Sequence, residues 1–302
     1  MREISIIVPF YNAERYIREC ITGLLTQDYP VAAYEIIMVD NNSTDASVEI
    51  VREHSRIILL SEKKQGAYAA RNRGLMRAEG AIVAFTDADC IPDRDWLRNI
   101  AAAMRPAEVQ LIIGSRSMGR RSLGLALLAA YEHQQISFIF ARRLHELYYG
   151  HTNNMAVRRE VFNRIGFFVE RLRGADQVLV HRVVGEYSCD AVRYEAHVRV
   201  CHKELANFWK YCQKQWIYGR SNRQCREIIA SRPLTRWERW EIFRNTVQSE
   251  HYSLPHTVLL LLLTTLSGTW YSLGRWLTRE GTPRETISAL TDNNGPCQSG
   301  RA

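Results

Sequence analysis

The first 114 residues repeat one pattern, a short unbroken apolar run followed by residues with helical spacing. The runs are Ile4–Val8, Ile36–Val39, Ile57–Leu60, Ile82–Phe85 and Leu111–Ile113. A strand that is apolar on both faces must be covered on both faces, so the pattern predicts a mostly parallel sheet between helix layers. Ile17, Ile21, Leu24 and Leu25 recur at i, i+4, i+7 and i+8 and predict a first helix, with Asn12 placed to cap it. A second helix is expected over 46–53 after the cap candidates Ser43, Thr44 and Asp45. A third is expected over 67–78, closed by Gly80.

With 46% hydrophobic and 24% charged residues in 302, the chain is expected to be globular rather than disordered. Seven cysteines, an odd number with no C-x-x-C pair, argue against a disulfide framework or a zinc ribbon and suit a reducing compartment. An apolar strand opens the chain with no basic leader, so a cytoplasmic start is expected. The net charge of +8 is unevenly placed. Residues 1–114 carry 13 Lys and Arg against 16 Asp and Glu; the remainder carries 27 against 16. An acidic front and a basic rear predict two kinds of partner.

In open parallel sheets, ligands bind beyond the carboxyl ends of the strands, and polar residues cluster there. Tyr11, Asn12 and Glu14 follow the first run, Asp40 to Asp45 the second, and Thr86-Asp87-Ala88-Asp89 the fourth. Asp87 and Asp89 are two residues apart after a strand and so share a side. Two close carboxylates repel, and a hard cation removes that cost, which points to Mg2+ or Mn2+ with phosphate oxygens as further ligands. Asp93, after Pro92, is expected to be an N-cap. Lys63-Lys64-Gln65-Gly66 precedes the third helix, whose Arg71 has the fork of donors that grips a diphosphate.

Four segments resemble family 2 glycosyltransferases: Ser5-Ile6-Ile7-Val8-Pro9-Phe10-Tyr11-Asn12-Ala13-Glu14, Ile37-Met38-Val39-Asp40-Asn41-Asn42-Ser43-Thr44-Asp45, Gly66-Ala67-Tyr68-Ala69-Ala70-Arg71-Asn72-Arg73-Gly74 and Phe85-Thr86-Asp87-Ala88-Asp89. They stand in the family's order and spacing. Asn41 departs, since members often carry a second Asp there. The resemblance implies a GT-A fold, a Rossmann-like α/β sheet flanked by helices, with a nucleotide-sugar-binding half continuous with an acceptor-binding half. It implies inversion at the anomeric carbon, with a divalent ion (Mn2+ or Mg2+) on the leaving diphosphate and a carboxylate as general base. On this resemblance Pro9, Tyr11, Glu14, Asp40, Arg71 and Asp87 contact a nucleoside-diphosphate sugar, expected to be UDP-linked. Asp87, Asp89 and His202 hold the metal, and Asp176, at the head of a helix, is the base. Asn153 and Asn154 match an acceptor-side strand and are expected either to meet a sugar or to serve a turn.

From Leu205 onward aromatics mix with basic residues, including Trp209, Tyr211, Trp216, Tyr218, Arg220, Trp237, Arg239 and Trp240. Residues 254–274 then run without Asp, Glu, Lys or Arg. At ~1.5 Å per residue such a helix just spans a bilayer; Pro255, Gly268 and several hydroxyls equally suit one lying on the surface. Arg275 and Arg279 favour the cytoplasmic side. The chain is thus expected to comprise a donor half (1–114), an acceptor half (115–204), a C-terminal helical membrane-associating region (205–290) and a flexible tail (291–302). The expected partners are the donor, a glycan or lipid-linked acceptor and an anionic membrane surface, with no nucleic acid. The alternatives are a nucleotidyltransferase, which would be expected to carry a Gly-rich basic loop after the first strand where Pro9-Phe10-Tyr11-Asn12 stands, and a non-catalytic membrane or nucleic-acid-binding module.

Overall fold

The structure, a computed structural model, describes residues 2–118, 122–170, 173–203, 208–225 and 228–277. One mixed sheet runs through it, built from β1 (Ile4–Phe10), β2 (Tyr34–Asp40), β3 (Ile57–Ser61), β4 (Ile82–Thr86), β5 (Cys90–Pro92), β6 (Leu111–Met118), β7 (Asn154–Arg158) and β8 (Val192–His202). The spatial order is β3-β2-β1-β4-β7-β6-β8-β5. β1 to β4 are mutually parallel, β7 is antiparallel to both β4 and β6, and β5 is antiparallel to β8. Every apolar run read as a strand is one, and the short β5 is an addition.

Alternation along β1 explains why the sheet is covered on both sides. Ile4, Ile6, Val8 and Phe10 enter one core with α1 (Glu14–Leu25), α2 (Ser47–Arg52) and α4 (Trp96–Ala103). Ile7 points to the other, with residues of α3 (Ala67–Arg77), α5 (Leu123–Ala141), α6 (Arg159–Ile165) and α7 (Ala175–Glu186). Both clusters are close to fully buried, at roughly 25 cal/mol per Å2 of apolar surface removed from water.

The helix starts differ from the capping expected of them. Asn12 does not cap α1. It adopts a left-handed backbone, φ 48°, and its Oδ1 accepts from the Thr44 N–H at 2.8 Å, tying the β1 and β2 loops together. The N-cap of α2 is Ala46; Asp45 instead accepts from the backbone N–H groups of Ser47 and Glu14, both at 3.0 Å. Asp93 is likewise no cap, since its carboxylate pairs with Arg199 at 3.0 Å. Asn12 and Asp93 are held by tertiary partners, and Asp45 divides its carboxylate between the local Ser47 and the distant Glu14.

The rear of the chain adds α8 (Phe208–Cys225), α9 (Arg236–Ser249) and α10 (Leu254–Trp276). The apolar run at Leu123 is the first half of α5. Its Leu125, Leu127 and Leu128 pack with Leu260 and Leu263 of α10, Tyr211 of α8 and Phe243 of α9. α8 and α10 lie almost in backbone contact, because a Cβ at Gly219 would strike the Tyr271 carbonyl and one at Gly274 the Trp216 carbonyl. Trp209 and Trp216 both set ring edges against Trp270. Among the described residues α10 is the one helix long and apolar enough to cross a membrane, and only 22% of its most apolar window is buried. Leu254, Val258, Leu262, Leu266 and Trp276 stay exposed. Arg279 and the tail from 291 lie outside the described residues.

Candidate active site

The carboxyl ends of β1, β2 and β4 open on the same side of the sheet, as parallel strands require. At β2 the key residue is Asn41, the position that departs from the family pattern. It is buried, its Nδ2 donates to the carbonyls of Glu62 (2.9 Å) and Lys64 (2.8 Å), and its Oδ1 accepts from Gly66 N–H (2.7 Å). Gly66, at φ 141°, precedes α3, so Asn41 fixes where that helix begins. A carboxylate cannot donate to two carbonyls. Asn41→Asp is therefore expected to cost about 1–3 kcal/mol for each unpaired group, read as a lower unfolding midpoint in denaturant.

α3 then delivers two side chains. Arg71, almost fully buried, donates to the Asp87 carboxylate at the end of β4, and its Nε has no partner among the described residues. One turn earlier Tyr68 lies under the Arg71 guanidinium, 5.2 Å from the ring centroid, and hydrogen-bonds Asp176. Asp176 stands in the first turn of α7, recessed in the wall of a cavity of about 960 Å3, with its Oδ1 accepting from Gln177 N–H at 2.9 Å. Burial raises its pKa above the ordinary carboxylate range, although Gln177 N–H, Arg71 and Tyr68 all favour the charged form. Burial and the Asp176 charge push the Tyr68 phenol far up, so Tyr68 is the donor. Asn72 pins the segment leading to α7, with Nδ2 donating to Phe168 carbonyl at 2.9 Å and Oδ1 accepting from Phe168 N–H at 3.1 Å.

A second cluster forms where β5 meets the end of β8. Ligand atoms of Asp89, Cys90 and His202 all lie within 4.8 Å of one another, and Asp89 Oδ2 is 3.6 Å from His202 Nε2. His202 is buried, and burial, helped by Lys214 and Arg116, pushes its pKa down to about 2. Its Nδ1 has no partner among the described residues, while Nε2 meets the Lys214 Nζ at 3.1 Å. Burial and the nearby acids hold the Cys90 thiol protonated, and it contacts Asp89 Oδ1 at 3.6 Å. One carboxylate and one neutral imidazole form an oxygen–nitrogen donor set of the kind Mn2+ accepts, so these residues fit a divalent ion. Asp87, expected in the same set, is directed to Arg71 instead.

The remaining expected residues divide. Pro9 is buried within β1, and Tyr11, 53% exposed, follows that strand. Asp40 accepts from Ser43 N–H at 3.0 Å, and the exposed Glu14 from Ala46 N–H at 3.4 Å. Asn153 is buried, and its Oδ1 has no partner among the described residues. Asn154 is a correction. Its Nδ2 donates to Ser115 and Val198 carbonyls (2.6 and 2.8 Å) and its Oδ1 accepts from Trp96 Nε1 (2.8 Å), so both amide hydrogens are used inside the sheet and none is left for a sugar. The sequence reading missed Tyr68, Lys214 and a polar group deeper in the cavity. There Arg116 pairs with Glu132 at 2.9 Å, and Tyr211 donates to Glu132 at 2.9 Å. Glu132 did carry a signal, being the lone charged residue of the apolar α5.

The profile of glycosyl transferase family 2 matches residues 5–166, more than half of the chain and the stretch that holds the Arg71–Asp87 pair and Asp89. The chain belongs to glycosyl transferase family 2. It is 32% identical over 176 residues to the glycosyltransferase AglE of Haloferax volcanii, covering 56% of this chain and 57% of that protein. It is 36% identical over 107 residues to the poly(ribitol-phosphate) beta-N-acetylglucosaminyltransferase TarS of Staphylococcus aureus, covering 34% of this chain and 19% of that one. The family member thus spans little more than half the length of AglE and less of TarS. Its fold is that of the mannosyltransferase PcManGT from Pyrobaculum calidifontis, solved with GDP-Man and Mn2+, at TM-score 0.63 and 20% identity over 92% of this chain and 85% of that one. S. aureus TarS 1-349 with UDP-GlcNAc superposes at TM-score 0.52 and 17% identity, over 91% and 90%.

Proposed function

We propose that this family 2 chain moves a sugar, with inversion, from a nucleoside-diphosphate sugar to a hydroxyl of a glycan or lipid-linked acceptor. The observation that carries this is Asp176, a carboxyl with a raised pKa in the cavity wall, tied through Tyr68 to α3 and its Arg71–Asp87 pair. An inverting transfer needs no enzyme nucleophile, only a base that accepts the acceptor's proton as its oxygen attacks. Asp176 Oδ takes that proton, and its raised pKa makes it a stronger base than a solvated carboxylate. Tyr68 and Gln177 N–H hold it in place. Arg71 is the diphosphate fork, exchanging its Asp87 contact for phosphate oxygens. Tyr11 offers an exposed ring to the nucleobase, and Asp40 a carboxylate to base or ribose. Asp89 and His202 would hold Mn2+ or Mg2+, which supplies charge neutralisation for the leaving diphosphate. The UDP-linked donor follows from the family resemblance and accords with the UDP-GlcNAc held by TarS.

The acceptor-side cavity reaches α10, where Thr264, Ser267 and Tyr271 line it. The opposite face of the same helix exposes leucines, which supports work at the cytoplasmic face of an anionic membrane, either lying on it or through one span. The test is a panel of nucleotide sugars offered to the full chain with and without Mn2+, in the presence of anionic vesicles. Metal-dependent donor cleavage by one nucleotide class, and co-sedimentation with the vesicles, is the expected result. Cleavage of none of the donors would sink the transferase reading, and protein left in the supernatant the membrane reading.

A further inference from the structure

Lys214 has no role in the chemistry above, yet it occupies a position of consequence. It projects from α8, an element outside the matched residues 5–166, and its Nζ stands 3.1 Å from Nε2 of His202. A lysine ammonium carries three donors and no acceptor. The imidazole nitrogen facing it must therefore present its lone pair, and the ring proton sits on Nδ1, which has no partner among the described residues. That same Nε2 lies 3.6 Å from Asp89 Oδ2. It is thus the nitrogen positioned to share an ion with the carboxylate, and one lone pair cannot serve an ammonium and a metal at once.

We propose that Lys214 and the divalent ion compete for Nε2 of His202, and that the displaced ammonium then turns to the leaving diphosphate. The inference rests on the metal site assigned to Asp89 and His202. Without the ion, the ammonium supplies the positive charge that keeps the Asp89 carboxylate and the imidazole close and oriented, so the site is pre-formed. When ion and nucleotide enter together, like-charge repulsion drives the ammonium off. A bound diphosphate offers it a compensating anion, which lysine binds as a point charge on a flexible stem. The two events reinforce each other. A diphosphate arriving with the ion offers the displaced ammonium a new counter-charge.

This predicts effects of opposite sign from one substitution. In Lys214→Met the competitor is gone, so Mn2+ alone is expected to bind at least about fivefold tighter, measured by the loss of the free-ion electron paramagnetic resonance signal. UDP binding in saturating Mn2+, followed by titration calorimetry, is expected to weaken by about the same factor, because an ammonium on the diphosphate is lost. Lys214→Gln repeats the measurement should the methionine variant fail to fold, and Lys214→Arg, which keeps the charge, is expected to bind Mn2+ no more tightly than the parent. Unchanged or weaker Mn2+ binding in both neutral variants overturns the proposal. His202→Ala separates the two levels. If it loses Mn2+ while the neutral variants gain nothing, the metal site stands and the competition falls. Should it bind Mn2+ like the parent, both fall.

Discussion

Asp176→Asn is expected to lower the transfer rate by about 10^2–10^4, the range a positioned general base contributes, while leaving donor binding nearly intact. Asparagine is close in size, still accepts the Tyr68 hydrogen bond, and cannot take the proton. The pH profile carries the same information. Burial raises the Asp176 pKa, so the acid limb of kcat/KM is expected above the range of an ordinary carboxylate. Stability should move the other way. A carboxyl whose folded-state pKa is raised contributes stability at low pH that is lost as pH rises through that value. The variant has no such loss, so its thermal midpoint relative to the parent should rise as the buffer is taken from pH 4 to pH 7. A less active protein that is also more stable at neutral pH is the signature of a base held in an unfavourable setting. An Asp176→Asn protein with parental kcat and an unmoved acid limb would remove Asp176 from the mechanism.

The second large effect concerns folding. Asn154→Ala strands the indole N–H of Trp96, which is fully buried, and the carbonyls of Ser115 and Val198. At about 1–3 kcal/mol for each of the three unpaired buried groups, the loss is on the order of 3–9 kcal/mol, against a total stability of about 5–15 kcal/mol for an ordinary domain. The thermal midpoint should fall by roughly 10 °C. Asn154→Asp should be worse, since a carboxylate would face two carbonyl oxygens. Trp96→Phe, by removing the donor, should recover part of the loss in the Asn154→Ala background. Chemical denaturation of the four proteins gives the coupling between the two positions directly, and strict additivity would mean that the indole bond contributes nothing.

Much of this was legible beforehand, for identifiable reasons. The parallel strands were readable because each is buried on both faces, which leaves a continuous apolar run. That Asp87 and Asp89 follow a strand and Asp176 opens a helix was readable, because their motifs place carboxylates at such ends. What failed was local capping. Asn12, Asp45 and Asp93 all have side chains suited to a helix start, yet the fold brings Thr44, Glu14 and Arg199 to them from 32, 31 and 106 positions away. Asn154 failed for a related reason, because its three partners come from α4, β6 and β8 and none is visible in its neighbourhood of sequence. Lys214 was hidden by company, one more cation in a basic, aromatic stretch.

The Asn154 staple has a further consequence. By joining the strand beside β4 to β6, β8 and α4, it leaves no seam in the sheet on which its two ends could hinge. Their spacing is set at the moment of folding. Variation among descendants of such a chain is then channelled outward, to α5, α8 and α10, which wall the cavity without being threaded through the sheet. Exchange of those helices would reshape the cavity while the sheet beneath it is inherited unchanged.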